Sequence, residues 1–287
     1  MLTSSIMTAD KIISGITAET VRRCAALTAA GHRPGVGLVL IDDDPYAVRM
    51  LDLKIRRAKD LGVWTHCVHL PKSSTEQRVL RDIAAMNEDP RIDGIFIQAP
   101  LPAHLDAGKI YSSLDPNKDV DGYHPFNLGK LAMGSVGFVP CAALGGIMML
   151  QDCLGDLTGK QAVVVGRSAV LGKPLALLLL HRGCTVTVAH SKTQALGEIV
   201  GRADIVVTTV GTPGYVQGAW IKQGATILDF GASRVNGRIV GDVDFEAVNH
   251  RAEWINRPTG SIGPMTIALL LRQTVAAADL IHGKDNV

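Results

Sequence analysis

The stretch Val163-Val164-Val165-Gly166-Arg167-Ser168-Ala169-Val170-Leu171-Gly172-Lys173-Pro174 decides the fold. It has the pattern of a buried strand that enters a tight glycine turn and continues into a helix. Such a turn directs backbone N–H groups and the positive end of a helix dipole toward a phosphate. The stretch therefore predicts a dinucleotide-binding site, and an ordinary strand–turn–helix connection of an α/β domain is the alternative.

The segment after the next predicted strand, residues 185–188, carries no acidic residue. In NAD-binding domains an Asp or Glu at this position binds the ribose hydroxyls, whereas here the sequence is His190-Ser191-Lys192-Thr193. A carboxylate would repel a 2′-phosphate, and these donors together with the guanidinium of Arg167 would attract it. The turn has the spacing Gly-x-Ser-x-x-x-Gly rather than the general Gly-x-Gly-x-x-Gly. The pattern favours NADP over NAD.

The composition is typical of a soluble globular protein with two domains. The chain has 287 residues, of which 47% are hydrophobic and 20% charged. A formal net charge of +2, without a Lys/Arg stripe interleaved with aromatic residues, disfavours a nucleic-acid partner. Five scattered cysteines without a C-x-x-C pair favour reduced thiols over disulfides or zinc. The N-terminus has no signal pattern, and the longest apolar run, residues 175–180, is too short for a membrane span. We therefore expect a cytoplasmic protein with no membrane partner and no metal.

Short β-rich runs alternate with helical patterns along the chain, which predicts an α/β fold with parallel strands and crossover helices. The first series has strands near residues 36–41, 63–70 and 94–97, with helices through Lys59 and over 75–87. The second, Rossmann-like series has strands near 162–165, 185–188, 205–208 and 226–229. We place the boundary near Pro140, ahead of a predicted connecting helix over 142–154. A final helix over 263–281 is predicted to return to the first domain, so the domains are 1–139 plus 263–287, and 140–262.

Two segments of the first domain carry candidate chemistry. A predicted strand ends at Gln98 before Ala99-Pro100-Leu101-Pro102, so the amide projects at the carboxyl edge of the sheet, where open α/β folds bind ligands. The alternative is that Gln98 only caps backbone groups at the strand end. The loop Asp115-Pro116-Asn117-Lys118-Asp119-Val120-Asp121 contains three carboxylates. We favour one carboxylate that binds a substrate N–H group over a metal site, because Lys118 sits among them.

The segments together resemble the bifunctional methylenetetrahydrofolate dehydrogenase/cyclohydrolase family. The resemblance extends over nearly the whole chain and is carried by these motifs, in order: a lysine helix around Lys54, D-G-I-F-I-Q-A-P-L-P, D-P-N-K-D-V-D-G-Y-H-P, P-C near residue 140, G-R-S-A-V-L-G-K-P, H-S-K-T, G-A-T-I-L-D-F-G, G-D-V-D-F and G-P-M-T. It implies a homodimer of two-domain α/β chains, with folate in a cleft between the domains and NADP on the second domain.

The resemblance also implies residue roles. Lys54 resembles the catalytic lysine, which spacing alone would leave as a solvated surface charge; Gln98 resembles the glutamine that positions it, and Asp121 the carboxylate that holds the pterin. Substrate contacts are expected at Met50, Pro100, Gly263 and Pro264. Cofactor contacts are expected at Gly166, Arg167, Ser168, Gly172, His190, Ser191, Val210 and Gly211, with Arg167 and Ser191 at the 2′-phosphate.

The implied reaction is NADP-dependent oxidation of 5,10-methylenetetrahydrofolate to the methenyl form, followed by hydrolysis to 10-formyltetrahydrofolate. Hydride transfer needs proximity, and the attack of water needs a proton acceptor such as a buried lysine. The sequence departs from the family at three places: Met50 replaces the tyrosine four residues before the lysine, Pro140-Cys141-Ala142-Ala143 replaces P-C-T-P, and residues 259–266 read T-G-S-I-G-P-M-T instead of P-G-G-V-G-P-M-T. The alternatives are a paralog that transfers the folate methylene group to another small molecule and a non-catalytic NADP-binding protein.

Overall fold

The computed structural model describes residues 4–283 and divides the chain into two compact units. We call them the six-stranded unit, residues 4–13 and Ala142–Thr266, and the three-stranded unit, Ser14–Cys141 and residues 267–283. The outermost residues of the predicted domain ranges, 1–3 and 284–287, lie outside the described residues.

The strands of the described chain are β1 (Ser5–Met7), β2 (Gly35–Ile41), β3 (Trp64–Leu70), β4 (Gly94–Ile97), β5 (Gln161–Val165), β6 (Thr185–Ala189), β7 (Ile205–Thr208), β8 (Thr226–Asp229), β9 (Ser233–Val235), β10 (Arg238–Val240) and β11 (Trp254–Asn256). The α-helices are α1 (Asp10–Ala29), α2 (Pro45–Asp60), α3 (Glu76–Glu88), α4 (Ala107–Ser112), α5 (Pro125–Ala132), α6 (Cys141–Leu154), α7 (Gly172–His181), α8 (Leu196–Val200), α9 (Phe245–Val248) and α10 (Ile262–His282), and a short 3-10 helix spans Gly218–Trp220.

The three-stranded unit is built on a parallel sheet in the order β3-β2-β4. Every residue of the central strand β2 is buried, as expected for a continuous apolar run covered on both faces. Helix α2 follows β2 and begins sharply, because the Asp44 carboxylate accepts hydrogen bonds from the Tyr46 and Ala47 amides and Pro45 occupies the first turn. Strand β4 ends at Ile97, which places Gln98 at the carboxyl edge of the sheet.

The six-stranded unit has a parallel sheet in the order β1-β11-β8-β7-β5-β6. Its core is an apolar cluster that includes Val163, Val165, Val206 and Ile227. The order reverses at β5, which has β6 on one side and β7 on the other. In open parallel sheets the ligand binds beyond the carboxyl ends of the strands at this reversal. The predicted cofactor residues follow the carboxyl ends of β5, β6 and β7.

The predicted α/β class with parallel strands is confirmed, but several elements were not predicted. The structure differs from the predicted range at the N-terminus: β1 pairs in parallel with β11, and residues 4–13 group with the six-stranded unit. A three-residue strand has too short a pattern to recognise, and its partner lies about 250 positions away in the sequence. Helix α1 and the antiparallel hairpin β9–β10 were also missed.

Helix α10 is much longer than the apolar run at residues 175–180. By length and composition, Ile262–His282 is the one described helix that could cross a membrane, yet 61% of its apolar window is buried inside the protein. A core helix of a globular protein has the same composition.

Candidate active site and cofactor-binding turn

Lys54 lies on the buried face of α2 in the three-stranded unit, with only 4% of its surface exposed. Its Nζ donates a hydrogen bond to Gln98 Oε1 at 2.8 Å. The same Nζ lies 5.0 Å from the centroid of the Phe96 ring, on strand β4. A carbonyl oxygen and an aromatic face therefore hold the amine, and no carboxylate among the described residues lies within ion-pair distance of it.

Burial lowers the pKa of Lys54 to about 8, and the negative charge of Asp121 acts in the opposite direction. An ordinary lysine, with a pKa near 10.4, has almost no free base at neutral pH. With a pKa of about 8, about a tenth of Lys54 is neutral at pH 7. The amine can therefore accept a proton from water, which a surface lysine does rarely.

Gln98 makes two side-chain hydrogen bonds. Its Nε2 donates to the carbonyl of Ala99 at 2.8 Å, which caps the strand end, and its Oε1 accepts from Lys54. The first bond fixes the orientation of the amide, so that its oxygen points to the lysine. Pro100 follows in a cis Ala99–Pro100 peptide and is exposed.

The three carboxylates of the acidic loop differ in their surroundings. Asp119 accepts hydrogen bonds from the Tyr123 and His124 amides and from Asn127 Nδ2, so it holds the loop together. Asp115 accepts the Asn117 amide, as in an ordinary turn. Asp121 has fewer backbone partners than Asp119 and lies beside Cys141.

Asp121 is buried, and one of its oxygens accepts the backbone N–H of Cys141 at 3.0 Å. Burial raises its pKa to about 6, while hydrogen bonds from Cys141 and Tyr123 act in the opposite direction. The carboxylate is therefore mainly ionised at pH 7 and can accept hydrogen bonds from an N–H group. Its negative charge also favours the protonated form of Lys54, so the ionisation of each residue affects the other.

Gln273, on α10, hydrogen-bonds to the backbone next to Asp121 and near Cys141, and it was not predicted from the sequence. Its Nε2 donates to the carbonyls of Val120 at 2.7 Å and Val139 at 2.9 Å, and lies 3.0 Å from Cys141 Sγ. The available signal was that Gln273 is the one amide side chain in a mostly apolar helix. Phe96, Tyr123 and Cys141 were also missed as site residues, because their roles depend on contacts between distant segments.

Met50 lies one helical turn before Lys54 on α2, half-buried. Tyr46, one further turn away, does not substitute for the family tyrosine: it is 41% exposed, and its ring lies 5.4 Å from the guanidinium carbon of Arg49. Eight residues along a helix correspond to about 12 Å, which is beyond direct contact with Lys54.

In the six-stranded unit, the turn between β5 and α7 requires glycine at both ends. Gly166 has φ +128°, and a Cβ there would lie 2.0 Å from Thr209 Oγ1. A Cβ on Gly172 would lie 2.3 Å from the carbonyl oxygen of Gly166. The backbone thus packs too closely for side chains and leaves the first turn of α7 accessible to a phosphate. These residues fit a bound dinucleotide.

The expected 2′-phosphate contacts are polar and exposed. Arg167 follows Gly166, and Ser168 Oγ accepts the Gly172 amide at 3.2 Å, so Ser168 shapes the turn. After β6, the His190 amide donates to Thr193 Oγ1, and the His190 ring accepts the Lys192 amide. Ser191 at the tip of this turn is exposed. A phosphate would meet donors and no carboxylate within residues 190–193.

Val210 and Gly211, after β7, already use their amides inside the unit. Both N–H groups donate to Asp242 Oδ2, at 2.7 and 3.1 Å. A cofactor contact at these residues must therefore use their carbonyls or their surface. Gly263 and Pro264 lie in the first turn of α10 and belong to the six-stranded unit, whereas the other expected substrate residues belong to the three-stranded unit.

The sequence matches two family profiles that together extend over most of its length. Residues 7–121 match "Tetrahydrofolate dehydrogenase/cyclohydrolase, catalytic domain", and residues 140–282 match "Tetrahydrofolate dehydrogenase/cyclohydrolase, NAD(P)-binding domain". The chain belongs to the tetrahydrofolate dehydrogenase/cyclohydrolase family. Lys54, Gln98 and Asp121 lie in the part that matches the catalytic domain, and the glycine turn lies in the part that matches the NAD(P)-binding domain.

Family members from several organisms match nearly end to end. The "Bifunctional protein FolD" of Paramagnetospirillum magneticum is 42% identical over 98% of both chains, and "Bifunctional protein FolD 3" of Rhizorhabdus wittichii is 46% identical over 87% of this chain and 84% of that protein. Among solved structures, the FolD enzyme of Campylobacter jejuni has a TM-score of 0.91 at 34% identity, covering 97% of this chain and 99% of that one. The FolD of Trypanosoma brucei, "complexed with NADP cofactor and inhibitor", has a TM-score of 0.91 at 32% identity, covering 98% and 99%.

These similarities confirm the resemblance identified from the motifs and the predicted two-part α/β architecture. They give no support to a paralog that transfers the methylene group elsewhere or to a non-catalytic binding protein. The residue roles and the domain boundaries stay predictions.

Proposed function

We propose that this protein oxidises 5,10-methylenetetrahydrofolate to the 5,10-methenyl form with NADP and then hydrolyses that product to 10-formyltetrahydrofolate. The observation that carries the proposal is the buried Lys54 Nζ, 2.8 Å from Gln98 Oε1 and sharing its electrostatic environment with the ionised Asp121. Lys54 supplies a proton acceptor, Gln98 an amide that positions it, and Asp121 a carboxylate for an N–H group. All three residues belong to the three-stranded unit.

Asp121 would bind the substrate. The pterin of a folate presents N–H groups, and a buried carboxylate that is already fixed by Cys141 accepts them without reorganising. In the first step the methylene carbon loses a hydride, and bound NADP supplies the acceptor for it. No strong base is needed, so this step does not require Lys54 as a proton acceptor.

Lys54 acts in the second step. Water attacks the methenyl carbon, a C–O bond forms, and one proton of the water must leave as the adduct develops. The neutral amine of Lys54 accepts this proton, held in place by Gln98 Oε1. The hydroxyl of the adduct then loses its proton as the C=O bond forms, the ring C–N bond breaks, the nitrogen takes up a proton, and the formyl product results. The cationic substrate lowers the pKa of Lys54 further and increases its base form.

The preference for NADP rests on charge. The segment after β6 offers hydroxyl and amine donors without an acid, and Arg167 adds a guanidinium from the adjacent turn. A 2′-phosphate forms charge-assisted hydrogen bonds with such groups.

The test is an assay of the purified protein with 5,10-methylenetetrahydrofolate and NADP, in which NADPH and the methenyl form are followed together by absorbance. We expect NADPH with only transient methenyl, and a slower reaction with NAD. NADPH with methenyl that persists at the rate of its uncatalysed hydrolysis would restrict the function to the dehydrogenase. Cofactor binding without NADPH would contradict the proposal.

The proposal includes a cytoplasmic homodimer with no nucleic-acid or membrane partner. Light scattering coupled to size-exclusion chromatography measures the oligomeric state, and fractionation of the native host measures the location. A monomer, or protein recovered in the membrane fraction, would contradict this part of the proposal.

A further inference from the structure

We propose that His32, Asp93 and His282 form a site for one divalent transition-metal ion of the zinc class, separate from the proposed active site. The sequence predicts no metal site, because its cysteines form no C-x-x-C pair and Lys118 sits among the carboxylates of the acidic loop. The three residues lie 61 and 189 positions apart, so no spacing rule could join them.

The donor atoms converge on one carboxylate. His32 Nε2 lies 2.9 Å from each oxygen of Asp93, and His282 Nε2 lies 2.9 Å from Asp93 Oδ1. The two imidazole rings stack with their centroids 3.6 Å apart and an interplanar angle of 27°. Both rings present Nε2 to Asp93. The three ligand atoms all lie within 4.8 Å of one another.

These separations fit a metal ion. With metal–ligand bonds of about 2.1 Å, two donor atoms 2.9 Å apart subtend an angle of about 90° at the ion. That angle suits two adjacent positions of a five- or six-coordinate centre. Two imidazoles with one carboxylate are a donor set of Zn²⁺, Co²⁺, Ni²⁺ and Fe²⁺, whereas Mg²⁺ and Ca²⁺ prefer oxygen ligands.

The three-stranded unit holds the carboxylate rigidly and leaves the imidazoles accessible. Asp93 is fully buried at the start of β4, and its Oδ2 also accepts the Gly35 amide at 2.8 Å. The side chains of His32 and His282 are 22% and 29% exposed, which leaves a path for the ion and for water ligands. A cavity of about 350 Å³, lined by His32, Arg33, Trp64, Pro90 and Arg91, adjoins the first histidine.

Without an ion, Nε2–H groups account for the same contacts, with each imidazole donating to Asp93. An ion would displace those protons, and each ring would carry its remaining proton on Nδ1. Within residues 4–283 no hydrogen bond is found at either Nδ1, so that proton is free to face water. The two accounts therefore differ in a measurable property, which is metal affinity.

The ion would stabilise the fold and would take no part in the chemistry. Asp93 and Gln98 flank opposite ends of β4. The His32–Asp93–His282 cluster therefore lies at the end where β4 begins, and Lys54 lies at the end where β4 stops. The ligands come from the turn after α1, the start of β4 and the last turn of α10. A bound ion would tie these three segments together.

The experiment uses tag-free, metal-stripped full-length protein. All samples carry Cys67→Ser, because Cys67 is an exposed thiol that could bind metal on its own. Zn²⁺ binding is measured by calorimetry and by the shift in melting temperature, and Co²⁺ absorption reports the ligand type. We expect one Zn²⁺ per chain, a higher melting temperature, and weak Co²⁺ visible bands without thiolate charge transfer.

The variants are His282→Gln, His32→Gln and Asp93→Asn, and the control is His104→Gln, an exposed histidine whose Nε2 contacts the Ser74 carbonyl. Each of the three cluster variants should lose at least about tenfold in Zn²⁺ affinity and the thermal shift. The control should bind like the parent. If the parent does not bind Zn²⁺, or if His282→Gln binds it as tightly as the parent, the proposal is overturned. Circular dichroism confirms that each variant is folded.

Discussion

The turn after β5 and the pocket around Lys54 show two ways to build a site. The turn is made of backbone: Gly166 and Gly172 allow close approach, and its function depends on residues adjacent in sequence. The Lys54 pocket is made of side chains from α2, the end of β4 and the acidic loop. A turn of the first kind is recognisable as a motif, whereas a pocket of the second kind depends on burial and charge that only the fold creates.

The comparison predicts that removing the amine of Lys54 has the largest effect. Lys54→Ala should slow hydrolysis of the methenyl form by about 10²- to 10⁴-fold, since that is the usual contribution of general base catalysis. NADP affinity, measured by fluorescence titration, should not change. Lys59→Ala, which removes an exposed lysine from the same helix, is the control and should keep full activity. Unchanged hydrolysis in Lys54→Ala would remove this residue from the mechanism.

The backbone turn should be sensitive to a single methyl group. Gly166→Ala combines a positive φ with a contact to Thr209 Oγ1, so we expect a loss of about 2–6 kcal/mol in the free energy of unfolding and weaker NADP binding. Gly159→Ala is the matched control: its φ is +78° and no atom lies within 4 Å of the new Cβ. It should cost only the backbone strain, about 1 kcal/mol. Equal losses in both variants, by urea denaturation, would mean that close packing at Gly166 is unimportant.

The exposed donors beside the turn should act on the 2′-phosphate alone. Arg167→Ala should weaken NADP binding by about 1.5–3 kcal/mol, the usual value for a hydrogen bond to a charged group. The affinity for NAD, which has no 2′-phosphate, is the internal control and should stay the same. If both affinities fall equally in calorimetric titrations, Arg167 does not discriminate between the cofactors.

The electrostatics of the pocket can be changed without removing the lysine. Gln98→Glu places a carboxylate where the Lys54 Nζ now meets an amide oxygen at 2.8 Å. The negative charge favours the protonated amine, so the pKa of Lys54 rises and less free base is present at pH 7. The alkaline-rising limb of kcat/KM for methenyl hydrolysis should move up by about 1–3 pH units. Superimposable pH profiles for the two proteins would contradict the assigned role of Gln98.

Met50→Tyr should have the smallest effect of the series. A tyrosine one turn before Lys54 adds a hydroxyl donor and an aromatic face that the thioether lacks. We expect a few-fold increase in the rate of methenyl hydrolysis with the dehydrogenase rate unchanged. Tyr46→Phe, two turns from Lys54, should leave both rates as they are. A lower hydrolysis rate in Met50→Tyr would mean that the pocket is packed around methionine.

The sequence predicted the backbone site more fully than the side-chain site, for physical reasons. The strand over residues 205–208 and the glycine turn follow from local patterns, and the structure has them at the predicted positions. Spacing alone would have left Lys54 on the surface, and only the family resemblance selected it. The bracing amide of Gln273 and the His32–Asp93–His282 cluster depend on contacts between distant residues, which no local pattern encodes.

The most direct test of the account is the titration of Lys54 itself. Selectively ¹³C-labelled lysine, assigned with Lys54→Ala, gives the pKa of this amine by NMR in the free enzyme. The structure predicts a value of about 8, set by burial and partly offset by Asp121. A value near the ordinary 10.4 would mean that the amine is solvated and protonated, and it would contradict the proposed general base.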